Sequence, residues 1–116
     1  MANTLAQLLE SLFGIRTYDR ESDPAFQVLA TVTQVLPYNP NRLGIVFVNT
    51  GGSNVYLSPR NTVAVGRGIR LAANGGMANL KWDEEFQLVA SEWHGIADGA
   101  ASNFYYLEIL SQQVPK

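Results

Sequence analysis

Residues 43–58 read LGIVFVNTGGSNVYLS, two apolar runs separated by a polar, glycine-rich turn. The run at residues 43–48 is apolar on both faces of a strand, which predicts a central strand of a sheet. Residues 50–53 (TGGS) are the tightest hairpin signal in the chain. We therefore expect a second strand over residues 54–58 to pair with the first.

Strand-like sequence continues on both sides of residues 43–58. From Phe26 onward, short runs rich in Val, Ile, Tyr, Phe and Thr are interrupted by Gly, Asn and Pro about every ten residues, a pattern typical of sandwiches and barrels. Further strands are predicted over residues 26–36, 62–65, 69–71, 77–82, 86–90, 93–97 and 104–110. The predicted fold class is mainly β, an antiparallel β-sandwich or jelly-roll-like barrel of eight or nine strands over residues 24–116, preceded by a short N-terminal α-helix.

The helix is predicted from a leucine stripe. Thr4 and Gln7 have the spacing of a capping box, and Gly14 is suited to end a helix. The leucines between them recur at helical spacing, and the apolar residues of this segment are Leu5, Leu8, Leu9, Leu12 and Phe13. A helix of about ten residues is too short to be stable alone in water. We expect its apolar stripe to pack against protein.

A polar stretch, residues 17–24 (TYDRESDP), follows this helix. It ends in Asp-Pro, and a residue before proline avoids the helical conformation. Residues 1–23 are therefore predicted to be a helix with a connecting arm. Two arrangements remain open, because the helix either covers one end of its own β domain or reaches with its arm onto a neighbouring subunit.

Composition limits the possible partners. The 116 residues fit one domain. Only 16% of them are charged, against about 25% in ordinary soluble domains, and such a surface is suited to being covered by a partner. The net charge of −2 gives no general attraction to nucleic acid, so no nucleic-acid partner is expected. The lack of cysteine excludes disulfides and thiolate metal sites.

Neither a signal peptide nor a membrane span is predicted. The first residues carry no basic region, and Gln7 and Glu10 interrupt their apolar positions. No window approaches the roughly 20 consecutive apolar residues of a spanning helix. We therefore expect no membrane partner.

Residues that carry enzyme chemistry are sparse. His94 is the only histidine, which excludes a Ser-His-Asp triad and a multi-histidine metal site within one chain. Residues 83–85 (DEE) lack the alternating ligands and the glycine of a calcium loop, and are predicted to be a solvated turn. Glu92 and Glu108 are the acids with strand-like flanks, and neither has a recognisable partner in the sequence. We predict no enzymatic activity, no metal and no cofactor.

Two sets of side chains are candidate binding residues. Trp82 and Trp93 are the candidates for a carbohydrate site, although core packing explains most of the aromatic residues. The basic residues Arg60, Arg67 and Arg70 fall in one stretch, and an acidic stretch follows from Asp83. Complementary patches of this kind can set the register between identical subunits. The arginines, the leucine stripe and Phe13 are the predicted contact with an oligomer neighbour or a capsid.

The order of short motifs between Arg42 and Leu110 resembles a known class of proteins. It runs NTG (49–51), VYL (55–57), GIRL (68–71) and GG (75–76), followed by an acidic turn at Asp83, WHGIA (93–97) and a closing strand that holds Glu108. This order resembles small β-sandwich structural proteins of tailed bacteriophages. That class includes capsid decoration proteins, head-fibre bases and minor virion proteins.

The resemblance implies a homo-oligomer, with a trimer favoured, bound to the outside of a protein shell. It brings no catalytic residues. The leading hypothesis is a capsid decoration or stabilising protein of a phage head, with the major capsid protein or another virion protein as partner, located in the virion after assembly in the host cytoplasm. The alternatives are a carbohydrate-binding module and a tail or head–tail connector component.

Overall fold

The computed structural model describes residues 15–113 of the chain. These residues form two antiparallel β-sheets that pack against each other, so the mainly β fold of the sandwich type is confirmed. The strands are β1 (Ile15–Glu21), β2 (Gln27–Val28), β3 (Thr33–Leu36), β4 (Arg42–Asn49), β5 (Val55–Ser58), β6 (Ile69–Leu71), β7 (Gly76–Lys81), β8 (Trp93–Ala97) and β9 (Ser102–Gln113). The predicted N-terminal helix, with Leu5, Leu8, Leu9, Leu12 and Phe13, lies outside the described residues.

The first sheet has five strands in the order β1-β9-β4-β7, with β2 also paired to β9. β4 lies between β9 and β7, which confirms the predicted central strand. The predicted connecting arm is wrong for residues 17–21, because β1 pairs with residues 107–113 of β9. β1 is an edge strand, and charged side chains are usual on an edge. Polarity therefore could not distinguish this strand from a loop.

The second sheet has four strands in the order β3-β8-β5-β6. The single strand predicted over residues 26–36 is instead divided between the two sheets, because β2 pairs with β9 and β3 pairs with β8. Hydrogen bonds of the Thr33 hydroxyl hold the segment in which the chain passes from the first sheet to the second. The hydroxyl accepts a hydrogen bond from the Leu29 N–H at 3.1 Å and donates one to the Thr31 carbonyl at 2.9 Å, which replaces strand pairing locally.

The predicted pairing of β4 with β5 is wrong, because the two strands belong to different sheets. The turn between them carries the chain across the sandwich. The buried Asn49 side chain holds this turn by donating to the Ser53 carbonyl at 2.7 Å. Gly51 lies so close to Ser102 and to the backbone of Asn103 that a Cβ there would collide with both. Gly51 thus permits a close approach between elements, where a hairpin turn was expected.

Two short predicted strands are also absent from the described residues. Residues 62–65 contribute a single bridge between Ala64 and Arg67. Residues 86–90 follow a helical turn, α1 (Trp82–Glu85), and begin with a 3-10 turn (Phe86–Val89). Side chains bind the carbonyls of this segment: Trp93 Nε1 donates to the Leu88 oxygen at 3.1 Å, and Arg42 Nη1 donates to the Val89 oxygen at 3.0 Å. Those carbonyls are consequently not part of a sheet ladder.

The core lies between the two sheets and is aromatic at its centre. Phe47 of β4 and Trp93 of β8 are each 1% exposed, and their ring centroids are 5.5 Å apart. A Cβ at Gly95 would lie 3.1 Å from the Leu57 side chain and 3.2 Å from that of Val28, so the glycine allows close packing. Full burial of each large apolar side chain contributes about 1.5–3 kcal/mol. This core therefore holds the sheets together.

Candidate interaction surface

The outward side of the five-stranded sheet is apolar at its centre. Alternate β9 residues point away from the core, because Phe104, Glu108 and Leu110 are buried and Tyr106 packs partly buried against the core. Val46 and Val48 of β4 are their cross-strand partners, and Met77 of β7 pairs with Val48. We call this set the outer face, and its members are Val46, Val48, Met77, Tyr105, Leu107 and Ile109. Met77 and Ile109 are exposed and the other four members are half-buried. The solvated side of an antiparallel sheet normally carries polar residues, so an apolar outer face is unusual.

Gly44 makes a notch in the outer face. It pairs with Ile109 on one side and with Lys81 on the other. Its φ is not positive, and an added Cβ would find ordinary contacts, 3.4 Å to the Leu80 oxygen and 3.7 Å to Ile109 Cγ1. A glycine within a strand weakens it and often marks the close approach of another group. Gly44 also lies at a β-bulge, because the pairing of β4 with β9 shifts register between Arg42 and Gly44. Its added Cβ would nevertheless meet no close contact within the described residues.

Charged side chains lie on the two strands that flank the outer face. β1 places Asp19 opposite Ile109 and Glu21 opposite Leu107, and β7 places Lys81 at the other edge. The Tyr105 hydroxyl donates a hydrogen bond to Glu21 Oε2 at 2.9 Å. This bond, with some desolvation, raises the pKa of Tyr105 above its ordinary value. An apolar centre with a polar rim is the usual composition of a protein interface.

A buried ion pair lies on the inner side of the same sheet. Glu108 of β9 is 1% exposed, and it accepts hydrogen bonds from Arg42 Nε at 2.7 Å and from Arg20 Nε at 3.2 Å. The Arg42 Nη atoms donate to the carbonyls of Pro37, Val89 and Ser91 at 2.8–3.0 Å. The hydrogen bond to Glu108 also raises the pKa of Arg20. Both oxygens of Glu108 are thus occupied, and the pair ties β4 and β9 to two loops.

The two tryptophans have different environments. Trp93 is buried against Phe47, so its indole cannot stack on a sugar. Trp82 is 60% exposed. It lines a shallow groove of about 370 Å³ together with Pro40, Arg42, Leu43, Gln87 and Ala90. One of the two predicted carbohydrate residues is therefore accessible.

The predicted arginines lie away from the outer face. Arg60, Arg67 and Arg70 are all exposed, on the segment after β5 and on β6 at the edge of the four-stranded sheet. Asp83 belongs to α1, which follows an edge strand of the other sheet. A contact role for the arginines stays a prediction.

His94 does not belong to a metal cluster within the described part of the chain. It is 9% exposed, and its Nε2 lies 3.7 Å from Glu92 Oε1. No hydrogen bond to Nε2 is made by residues 15–113. Across the same range, there is no group of three or more His, Asp or Glu side chains able to hold a metal ion, and no helix with the length and apolarity needed to cross a membrane.

Comparison with known proteins shows likeness of fold. No family model matches the chain, and no curated protein matches it. A solved structure of the disulfide-linked pili that form Bacillus endospore appendages is similar, with a TM-score of 0.57, 13% identity, and coverage of 87% of this chain and 89% of that one. The Tobacco streak virus coat protein matches with a TM-score of 0.48, 14% identity, and coverage of 90% and 91%. At these identities, the first match shows a shared fold and nothing more.

Sequence reasoning missed the outer face, although the sequence contains its signal. Residues 43–48 are apolar on both faces, which indicated a central strand. In an antiparallel sheet the same pattern also places apolar side chains on the solvent side. Tyr105 and Tyr106 are adjacent in β9 and therefore point to opposite sides of the sheet, and Tyr105 is the one on the outer face. The outward residues of β4 and β9 form one apolar surface only when the two strands are placed side by side.

Proposed function

We propose that this chain is a virion structural protein that decorates or stabilises a phage capsid through protein–protein contact and catalyses no reaction. The observation that carries the proposal is the outer face, an apolar patch with a charged rim on an otherwise ordinary sandwich. Soluble monomers rarely expose large contiguous apolar patches, and such patches mark interaction sites. A protein that works by contact needs this kind of surface.

The strand order also supports the proposal. Sheets ordered β1-β9-β4-β7 and β3-β8-β5-β6 have the topology of an eight-stranded jelly roll when β1 and β2 are counted as one interrupted strand. Jelly rolls are used by viral capsid domains and by lectins. The similar pilus protein is described as disulfide-linked. The present sequence contains no cysteine, so we propose noncovalent contacts between its subunits.

Attachment to a capsid is proposed to use the predicted leucine stripe and Arg60, Arg67 and Arg70. Exposed ion pairs contribute only about 0–1 kcal/mol each. A shell with many identical sites compensates for weak contacts, because linked copies bind much more tightly than one copy alone. Oligomerisation of the chain, as a trimer or otherwise, would add to this effect.

Co-sedimentation with empty shells of the phage's own major capsid protein tests the proposal. We expect saturable binding of the purified chain, reduced when Arg60, Arg67 and Arg70 are all changed to Glu. Shells of an unrelated capsid protein are the control and should not bind. A chain that does not sediment with its own shells at any concentration contradicts a decoration role and favours a tail or connector component.

A carbohydrate-binding module is the second candidate, favoured by the exposure of Trp82 in its groove. An exposed aromatic ring with a polar neighbour such as Gln87 suits a sugar, whose apolar face stacks on the ring while its hydroxyls form hydrogen bonds. A glycan array should show binding that Trp82→Ala abolishes. Tyr38→Ala, at a ring that is 66% exposed, is the matched control. The absence of binding to any glycan would remove this candidate.

A further inference from the structure

We propose that the outer face pairs with the outer face of a second copy of this chain, about a two-fold axis parallel to the strands. The inference rests on the proposed role as an assembling subunit, and it adds the surface and its occupant. Its basis is the register of the five-stranded sheet, in which rows of paired residues cross β1, β9, β4 and β7.

One row shows the complementarity most clearly. It contains Asp19, Ile109, Gly44 and Lys81, in that order across the sheet. A two-fold axis between β9 and β4 places β9 of one copy over β4 of the other. Ile109, which is 37% exposed, then lies over the notch at Gly44 of the second copy. Asp19 lies opposite Lys81, so each end of the row meets the opposite charge.

The neighbouring rows match at their apolar centres only, because Glu21 at one end of the next row would meet the neutral Asn79 at the other. The axis brings Leu107 over Val46 of the second copy, and it brings Tyr105 over Val48. Each of these contacts occurs twice, because the face is its own partner under a two-fold operation. The arrangement also fills the notch at Gly44, beside the β-bulge of β4, with Ile109 of the second copy.

The length of the outer face suits a second copy as its occupant. Ile109 and Tyr105 are four residues apart along β9, about 13 Å. An axis parallel to the strands covers this whole length, because β9 of one copy then runs along β4 of the other.

A two-fold pair differs from the trimer implied by the resemblance to phage proteins. A trimer joins two different patches on each subunit, whereas the outer face has opposite charges at its two ends and complements itself. A face with one sign of charge at both edges would repel its copy. The opposite charges of Asp19 and Lys81 therefore favour a two-fold dimer over a trimer.

Sedimentation equilibrium of the full chain, from micromolar to millimolar concentration, measures the pairing. We expect an equilibrium between the 12.7 kDa chain and a species of twice that mass. Leu107→Lys should weaken the dimer at least about 30-fold, because it places a charge at the centre of the contact. The matched control is Ile96→Lys, a half-buried strand residue on the outward side of the other sheet. This control should leave dimerisation unchanged.

Two further variants separate pairing from folding. Gly44→Ala adds a methyl group that fits within its own chain, so the urea unfolding free energy should be retained while the dimer weakens about tenfold. Asp19→Lys and Lys81→Asp should each weaken the dimer by about fivefold. Their combination should restore it.

A chain that stays monomeric to millimolar concentration overturns the inference and points to the N-terminal segment or a capsid protein as the occupant. A dimer that Leu107→Lys and Ile96→Lys weaken equally also overturns it. A dimer formed through another surface leaves the proposed structural function standing. An intact dimer without any binding to the phage's own shells contradicts that function and leaves the pairing in place.

Discussion

Glu108 is a buried carboxylate that binds two arginine side chains. It is buried and ionically paired with Arg42 at 2.7 Å, while its second oxygen binds the exposed Arg20. A buried ion pair does not by itself stabilise the fold more than two apolar side chains of similar size, because both charges lose their hydration on burial. Removing one partner is costly, since it leaves the other charge buried and unpaired. The role of Glu108 was not predictable, because its partner is 66 positions away.

Glu108→Gln should therefore reduce the free energy of unfolding by about 3–5 kcal/mol. The substitution keeps the size of the side chain and leaves the Arg42 guanidinium without its counter-charge. Urea denaturation measures the effect. Arg20→Ala is the control, because the Arg20 side chain is 54% exposed and its loss should cost no more than about 1 kcal/mol. Equal losses for the two variants would show that burial of the pair does not matter.

Tyr106 makes stability depend on alkaline pH. Burial is the main cause of the raised pKa of Tyr106, and the nearby negative charge of Glu108 adds to it. The folded chain then holds the phenol proton at a pH where the unfolded chain has lost it. Stability is fully present below the unfolded value of about 10 and decreases as pH rises through the folded value.

Tyr106→Phe should reduce the loss of unfolding free energy at alkaline pH. Urea unfolding at a series of pH values from 9 to 11, roughly one unit either side of the tyrosine pKa, measures it. Tyr38→Phe, at a side chain that is 66% exposed, is the control. A decrease of the same size in the native chain and in Tyr106→Phe would contradict the role given to this phenol.

Among the secondary-structure elements, long apolar strands were predictable and polar or divided strands were not. β4, β5 and β8 lie where the alternation and the turn residues placed them. β1 was missed because an edge strand is polar on both sides. The segment at 86–90 was misassigned because Trp93 and Arg42 side chains bind its carbonyls. Such distant hydrogen bonds are not visible in a local pattern.

The leucine-striped segment before β1 offers a prediction at this level. Under the proposed decoration role, Leu9→Asp should weaken binding to shells of the partner capsid protein, because it places a charge in the predicted apolar contact. Gln7→Asp adds the same charge on the opposite side of the predicted helix and should have little effect. Co-sedimentation with the shells compares them. Equal binding by both variants would exclude the stripe from the contact.

For the whole molecule, the sequence predicted a sandwich but not which strand belongs to which sheet. The turn after β4 has the composition of a hairpin, yet it crosses between sheets because Asn49, Ser53 and Ser102 form a buried hydrogen-bond network beneath it. The outer face follows from that crossing, since it sets β4 beside β9 and β7. Only the assembled sheet combines their outward residues into one surface.

A structural role on a shell requires many copies of the chain in each particle. Quantitative mass spectrometry of purified virions, with the major capsid protein as the internal standard, counts them. We expect on the order of hundreds of copies, in a fixed ratio to the major capsid protein, as multivalent decoration requires. About six or twelve copies, as in a symmetric tail or connector ring, or no copies at all, would contradict the proposed function.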